Sequence, residues 1–169
     1  MEVNAIESLY RGINKASIEN AVDALWLNIL RMYFQPKDGF VLHTQIPLST
    51  RAAGNIGIVR VDDTGNQEIV ILCESKRAAF ESQNTQWELA VDQLESYLKI
   101  VRGGFGLKQR TLYGIVAVGR YCRFYQLGES PGEELEALPL TNEKVLHIKK
   151  DEAEIHNPLK ELFKKTNIF

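Results

Sequence analysis

A short apolar run of the sequence ends in two charged residues whose spacing could support chemistry. The run reads VILCESKR over residues 70–77 and places Glu74 and Lys76 two positions apart. Successive side chains of a β-strand point to opposite faces, so the carboxylate and the ammonium would lie side by side on one face. Such a pair can be a simple ion pair at a strand end that adds little stability. The alternative is that it belongs to a reactive site, and the surrounding elements bear on that choice.

The composition is that of an ordinary globular protein. The chain has 169 residues, 44% of them hydrophobic and 25% charged, which is enough for one domain with its own core. A net charge of −2 argues against a protein that coats nucleic acid through bulk charge, although a local basic groove would not show in the total. Cys73 and Cys122 lie in apolar runs and are expected to be buried free thiols.

The sequence carries no membrane signal. No apolar run approaches the ~20 residues that a membrane-spanning helix needs, and the amino terminus lacks a basic-then-apolar leader pattern. We therefore expect an intracellular protein, in the cytoplasm or the nucleus, with no membrane partner.

Two long helices are predicted from apolar residues at three-and-four spacing. The first covers residues 16–34, with Ser17 as its cap, and the second covers residues 85–103. The carboxy-terminal segment, 129–169, mixes turn residues with alternating charge and predicts an appendage that packs on or extends from the preceding domain. Within this segment NPLKELFKKT predicts a short helix with Pro158 in its first turn.

Strands are predicted between and after the two long helices. Residues 40–48 alternate in polarity and form a first strand that Pro47 ends, and residues 55–74 form a β-hairpin around Asp-Asp-Thr-Gly-Asn. Two further strands follow the second helix and are joined at Gly119 and Arg120. The predicted order is helix, three strands, helix and two strands.

With Glu-x-Lys at the end of the third strand, this order resembles the PD-(D/E)XK nuclease superfamily over about residues 16–127. QLESY, residues 93–97, is similar to the Gln-x-x-x-Tyr motif that the RecB-like branch carries on the following helix. Glu19 lies on the first helix, where many members carry an extra metal-binding glutamate. LYGIVAVGRYCRFYQL resembles the strand pair in the amino-terminal nuclease domains of type I restriction subunits and in fungal nuclease-like proteins.

The resemblance implies a fold and a set of roles. The fold would be α/β with a restriction-endonuclease-like αβββαβ core, in which helices flank a mixed central β-sheet, and residues 1–128 would form the nuclease-like domain. The cofactor would be Mg²⁺ or Mn²⁺, because hard cations prefer oxygen ligands. The implied catalytic residues are Glu74, Lys76 and Gln93, the implied metal ligands are Glu74, Glu19 and Asn55, and Tyr97 and Asp23 would support them.

One position departs from the family's pattern. The family has an aspartate on the strand before Glu-x-Lys, and the expected position here holds Gly57. Asn55, two residues earlier and on the same predicted face, could supply a neutral oxygen. Glu19 and Asp23, four apart on one helix face, could supply carboxylates.

Two functions therefore stay open. The first is a metal-dependent nuclease that hydrolyses phosphodiester bonds of DNA or RNA with a partly degenerate active site, that is, an endonuclease-like phosphodiesterase. The alternative is a catalytically inactive nuclease-fold module for binding or assembly. Nucleic acid is the expected partner in the first case. A homodimer is also expected, formed through the apolar helix 16–34, with Trp26, Tyr33 and Phe34 near its end, and the exposed final strand RFYQL.

Overall fold

A central β-sheet with helices on both faces organises the chain. The computed structural model describes residues 4–50, 52–104, 110–130 and 132–167. The helices in these residues are α1 Asn4–Gly12, α2 Glu19–Arg31, α3 Asn84–Gly104 and α4 Glu152–Thr166. The strands are β1 Phe40–Ser49, β2 Ala52–Val61, β3 Gln67–Lys76, β4 Leu112–Val118, β5 Tyr121–Leu127, β6 Leu135–Ala137 and β7 Leu146–His147. This confirms the predicted α/β class with a mixed sheet flanked by helices.

The strand order places β3 in the interior of the sheet. The order is β1-β2-β3-β4-β5-β6, and β7 also pairs with β5. The β3–β4 pair is parallel and the others are antiparallel. A parallel pair needs a crossover connection, which α3 provides. The carboxyl end of β3, where Glu74 and Lys76 lie, is therefore bordered by β2, β4 and the start of α3.

Two apolar clusters define the faces of the sheet. On one face Trp26 and Leu30 of α2 are fully buried in a cluster that also takes residues from α1 and α4. On the other face Trp87, Leu94 and Leu98 of α3 are buried in a second cluster. We call these the α2 face and the α3 face. Each helix presents its apolar stripe to the sheet, as the three-and-four spacing predicts.

The amino-terminal region differs from the prediction. α1 was not foreseen, and α2 spans Glu19–Arg31 with Ile18 as its N-cap rather than Ser17. The Ser17 hydroxyl is engaged elsewhere, because it accepts a hydrogen bond from the Asn14 N–H and donates one to the Gly12 carbonyl. Ser17 thus stabilises the turn between α1 and α2 and cannot cap α2.

Pro47 and Pro158, which are predicted to end β1 and to lie in the first turn of α4, both lie in the interior of those elements. β1 continues through Pro47 to Ser49, which is tolerated because β1 is an edge strand of the described sheet and edge strands can accommodate the missing N–H of proline. α4 begins at Glu152, earlier than predicted, and contains Pro158. Ile155 and Leu159 are buried on one side of α4, so packing holds the helix together despite the lost hydrogen bond.

The carboxy-terminal segment takes part in the sheet and the core. β6 and β7 pair with β5, so RFYQL is not an exposed final strand and the prediction that it is one is wrong. Trp26 and Phe34 are fully buried and cannot form a dimer surface. The homodimer itself, and the domain boundary at residue 128, stay predictions.

The described residues also test the predictions about the two cysteines and about membrane-spanning helices. Cys73 and Cys122 are buried and free, as predicted. None of the helices in the described ranges has the length and apolar character needed to cross a membrane.

Candidate active site at the carboxyl end of strand β3

Side-chain burial decreases along the last residues of β3. The Glu74 side chain is 1% exposed and that of Lys76 is 15% exposed. Arg77, the next residue, is exposed. The candidate site therefore lies at the carboxyl end of β3, where side-chain exposure increases from the buried Glu74 through Lys76 to the exposed Arg77.

One half of the site lies on the α3 face. Lys76 Nζ is 2.7 Å from Glu74 Oε1 and donates a hydrogen bond of 2.9 Å to Gln93 Oε1. Gln93 Nε2 in turn donates to the Tyr97 hydroxyl at 2.7 Å. Gln93 and Tyr97 are four apart on α3 and so share one side of that helix. We call Glu74, Lys76, Gln93 and Tyr97 the α3 half; they form one continuous chain of hydrogen bonds.

The other half lies on the α2 face. Asn55 Nδ2 is 2.9 Å from Glu19 Oε1 and 3.2 Å and 3.4 Å from the two carboxylate oxygens of Asp23. Glu19 and Asp23 are one turn apart on α2, and Asp23 is buried. Ser75, next to Glu74 but on the opposite face of β3, also points towards Asp23. We call Glu19, Asp23, Asn55 and Ser75 the α2 half.

The faces of Asn55 and Gly57 differ from the prediction. A side chain on Gly57 would meet Ile46, which belongs to the α3-face cluster, whereas Asn55 reaches α2. The reason lies opposite Asn55, where Gln45 adopts a left-handed backbone with φ of 51°. The regular pairs Thr44–Ile56 and Ile46–Gly54 flank this point. Strict alternation is interrupted there, so Asn55 turns to the α2 face.

The space beside Gly57 is occupied. A Cβ atom at Gly57 would lie 2.7 Å from Ile46 Cδ1 and 2.8 Å from Ile46 Cγ2, which is closer than carbon atoms pack. Ile46 therefore fills the volume that a side chain at this position would need. Neither the position of Ile46 beside Gly57 nor the conformation of Gln45 is predicted from the sequence. A glycine that packs against a large β-branched side chain of the neighbouring strand becomes a signal only when the strand pairing is known.

Burial and neighbouring charges shift the pKa of Glu74. Burial is the main cause that raises this pKa from 4.5 to about 7, and the charges of Glu19 and Asp23 raise it further. The hydrogen bond and charge of Lys76 act in the opposite direction. Glu74 Oε2 has no hydrogen-bond partner in the part of the chain that the structure describes. Glu74 is thus a buried carboxylate that its one cation does not fully stabilise.

The Asp23 carboxyl links the two halves. Burial raises its pKa, the Ser75 and Asn55 side chains lower it, the Glu19 charge raises it and the Lys76 charge lowers it. The Ser75 hydroxyl faces Asp23 without reaching ordinary hydrogen-bond geometry to any described residue. The charge of Lys76 lowers the pKa of Asp23 and the charge of Asp23 raises the pKa of Glu74, so the two halves influence each other electrostatically.

The carboxylate and amide oxygens of the site are the type of ligand that binds a hard cation. Carboxylate and amide oxygens are the ligands that Mg²⁺ prefers, and the unpartnered Oε2 of Glu74 is such an oxygen. Among the described residues, no group of three or more His, Cys, Asp or Glu side chains is already arranged to hold a metal ion. A cation at this site would therefore have to draw Glu74 and the α2 half together.

Comparison with known proteins adds a structural relative. No family model matches the chain, and no curated protein matches it in sequence. Among solved structures, the chain is similar to part of the cryo-EM structure of a DrdV–DNA complex, with a TM-score of 0.54 and 14% identity over 95% of this chain. The match spans only 13% of the length of that relative. At this identity the likeness shows a shared fold with that part of the larger protein.

Proposed function

We propose that this chain is a metal-dependent nuclease with a partly degenerate active site that hydrolyses phosphodiester bonds of DNA or RNA. The observation that carries the proposal is the setting of Glu74. This carboxylate is 1% exposed, lies 2.7 Å from Lys76, and has a pKa that two further carboxylates on α2 help to raise. A buried carboxylate whose pKa is perturbed by burial and by specific charged neighbours is typical of active sites.

The fold proposed for this activity is the restriction-endonuclease-like αβββαβ core. The elements α2, β1, β2, β3, α3 and β4 follow one another in that order. A solved relative with a similar fold is bound to DNA in its structure, which supports nucleic acid as the substrate class here.

The α2 half and Glu74 would hold the cation. Glu74, Glu19 and Asn55 would supply ligand oxygens, with Asp23 in support, and Mg²⁺ or Mn²⁺ fits these donors. Such an ion, when bound, polarises a phosphoryl oxygen and makes a bound water more acidic.

Lys76 would act directly on the substrate. An ammonium has three N–H donors, and within the described residues Lys76 uses one on Glu74 and one on Gln93. The third can donate to a phosphate oxygen or to the attacking water, where it would stabilise developing negative charge. Gln93 holds the ammonium in place and Tyr97 fixes the amide of Gln93, so both act as positioning residues.

The alternative is a catalytically inactive module that binds nucleic acid or assembles with partners through the same fold. The observation that favours it is Ile46, which fills the space beside Gly57 where the superfamily pattern has an aspartate. This alternative expects binding of nucleic acid without cleavage.

A nicking assay on supercoiled plasmid, with Mg²⁺ or Mn²⁺, separates the two. The wild type should nick, whereas Glu74→Gln and Lys76→Met should lose nicking to background. Glu88→Gln, which changes an exposed carboxylate on the same helix as Gln93, is the matched control and should nick like the wild type. Absence of nicking by a folded wild type would favour the inactive module, and equal nicking by Glu74→Gln would contradict the assigned site.

A further inference from the structure

Ser75 places a hydroxyl in a fully buried part of the sheet. Its side chain is 0% exposed, and it lies on β3 between Glu74 and Lys76. Its partner on the neighbouring strand β4 is Ala117, which is also fully buried. A polar group in such surroundings destabilises the fold unless it is hydrogen-bonded. The group that the Ser75 hydroxyl serves therefore has to be identified.

The Ser75 hydroxyl differs from those of two buried threonines. Thr141 donates a hydrogen bond of 2.9 Å to the Leu138 carbonyl, and Thr166 donates one of 2.7 Å to the Leu162 carbonyl. Within the part of the chain that the structure describes, Ser75 Oγ has no hydrogen-bond partner. Buried polar groups without a partner are uncommon in native proteins, and each needs an explanation.

Asp23 is the polar group that the Ser75 side chain approaches. Burial raises the pKa of Asp23, and among the side chains that lower this pKa the effect of Ser75 is the largest. Cys73 lies two residues before Ser75 on the same side of β3, and burial, followed by the charge of Asp23, raises the pKa of its thiol. Two side chains of β3 on the α2 face thus lie near one carboxylate.

The Asp23 carboxylate is held only loosely by Asn55. The amide nitrogen of Asn55 lies 2.9 Å from Glu19 Oε1 but 3.2 Å and 3.4 Å from the two oxygens of Asp23. A hydrogen bond from an amide N–H usually has a length near 2.9 Å, so the shared amide favours Glu19. A second donor on Asp23 is needed to fix the orientation of its carboxylate.

We propose that Ser75 is a positioning residue of the cation site, whose hydroxyl orients the Asp23 carboxylate by donating a hydrogen bond to it. This inference rests on the proposed function, because it assigns a further residue to the same site. The present approach of the hydroxyl would become a hydrogen bond as Asp23 takes up that orientation. Asp23 would then hold Asn55 and Glu19, the implied ligands of the α2 half, in a fixed arrangement.

Ser75 would have the same part in the α2 half that Tyr97 has in the α3 half. Tyr97 fixes Gln93, and Gln93 holds Lys76. Groups that hydrogen-bond to the residues around a metal orient them, and their loss typically weakens metal binding about 10–100-fold. A methyl group at position 75 would suit the buried surroundings but could not donate. The role thus explains a hydroxyl where the fold alone favours an apolar side chain.

Calorimetric titration of Mn²⁺ into the full chain, together with melting temperatures measured in a chelator, tests the proposal. Ser75→Ala should bind Mn²⁺ about tenfold more weakly than the wild type, or weaker still. Its melting temperature in the chelator should equal or exceed that of the wild type, because alanine removes a buried hydroxyl that has no partner. A residue with a merely structural role would not weaken binding while the fold stays as stable.

Thr166→Val is the matched control. It also removes a buried hydroxyl, but one that is hydrogen-bonded within α4. This variant should melt at a lower temperature than the wild type and bind Mn²⁺ with unchanged affinity.

A double-mutant cycle tests whether Ser75 acts through Asp23. Asp23→Ala should weaken Mn²⁺ binding, and adding Ser75→Ala to it should weaken binding no further, because the carboxylate that Ser75 orients is already gone. Fully additive losses would contradict the route through Asp23.

The outcomes separate this proposal from the proposed function. Wild-type affinity for Mn²⁺ in Ser75→Ala, or a melting temperature lowered as in Thr166→Val, would overturn the role of Ser75 alone. A folded wild type that binds no Mn²⁺ would overturn the cation site together with this role. Binding that depends on Ser75, without nicking of plasmid, would contradict only the nuclease activity.

Discussion

The two halves of the candidate site neutralise their charges in different ways. In the α3 half the carboxylate of Glu74 meets the ammonium of Lys76 at 2.7 Å. In the α2 half two carboxylates, Glu19 and Asp23, share the neutral amide of Asn55. Negative charge is thus in excess on the α2 side, and its effect extends to Glu74. The difference indicates where a cation would add most stability, namely between Glu74 and the α2 half.

The backbone differs between the halves as well. Glu74 and Lys76 lie on a stretch of β3 that pairs regularly with β4, whereas Asn55 lies opposite the left-handed Gln45. The α3 half is held by regular strand pairing and by its chain of side-chain hydrogen bonds, whereas the α2 half depends on an irregular point of the sheet.

The largest expected effect is the pH dependence due to Glu74, whose pKa is raised by burial to about 7. The Glu74 carboxyl therefore binds its proton more tightly in the folded protein than in the unfolded chain. The corresponding stability is therefore fully present below pH 4.5 and is lost as the pH rises through about 7, on the order of 3 kcal/mol in total. Urea denaturation over this range should show a smaller loss for Glu74→Gln, with Glu88→Gln as the control. Equal loss in wild type and Glu74→Gln would show that Lys76 neutralises Glu74 completely.

A second variant exaggerates the excess charge of the α2 half. Asn55→Asp removes the shared donor and places a third carboxylate beside Glu19 and Asp23, so we expect a loss of about 2 kcal/mol without divalent cations. Mg²⁺ should restore most of the loss, measured as melting temperature, because it binds only the folded state. Asn20→Asp, at an exposed neighbouring position on α2, should show no such recovery. If Asn55→Asp were as stable as the wild type without divalent cations, repulsion between the carboxylates of the α2 half would not destabilise the fold.

A third test concerns the space beside Gly57 that Ile46 fills on the α3 face. Gly57→Ala should cost about 1–2 kcal/mol, because its Cβ would overlap Ile46. Gly54→Ala is a matched control on the same strand, since its Cβ would lie at an ordinary 3.5 Å from Ile46. Its effect should stay within about 0.5 kcal/mol. Equal stability of the two variants in denaturant titrations would show that Ile46 moves aside easily and that a carboxylate could be accommodated.

The smallest expected effect concerns Tyr97, the last member of the hydrogen-bond chain in the α3 half. Tyr97→Phe removes the hydroxyl that accepts from Gln93 and should cost about 1 kcal/mol or less. Because Gln93 positions Lys76, the nicking rate should also fall a few-fold. Tyr33→Phe removes a hydroxyl bonded to His156 at 2.8 Å on another part of the surface and should leave nicking unchanged. Equal nicking rates for the two variants would remove Tyr97 from the supporting role.

The sequence predicts much of the fold because the relevant signals are local. The apolar spacing of α2 and α3 and the uninterrupted apolar run of β3 each reflect burial of one element. The turns at Gly65 and Gly119, both with positive φ, fix the two hairpins. The same locality explains why Glu74 could be paired with Lys76 on one strand and Gln93 with Tyr97 on one helix. The resemblance to the nuclease superfamily, and not local spacing, joined the two pairs into one predicted site.

The remaining features depend on contacts that are distant in sequence. Nothing local indicates that Gln45 is left-handed, so the face of Asn55 was predicted incorrectly. Ile46 and Gly57 become neighbours only through strand pairing. The sequence predicts RFYQL as an exposed final strand because its partners, β6 and β7, are very short and surrounded by charged residues.

The measurement that tests the central claim most directly is calorimetric titration of Mn²⁺ into the wild type and into Glu74→Ala. The claim is that Glu74 and the α2 half together form one cation site. We predict measurable binding by the wild type and none by Glu74→Ala, although the carboxylates of Glu19 and Asp23 are unchanged in that variant. No binding by the folded wild type, or equal binding by both proteins, would contradict the claim.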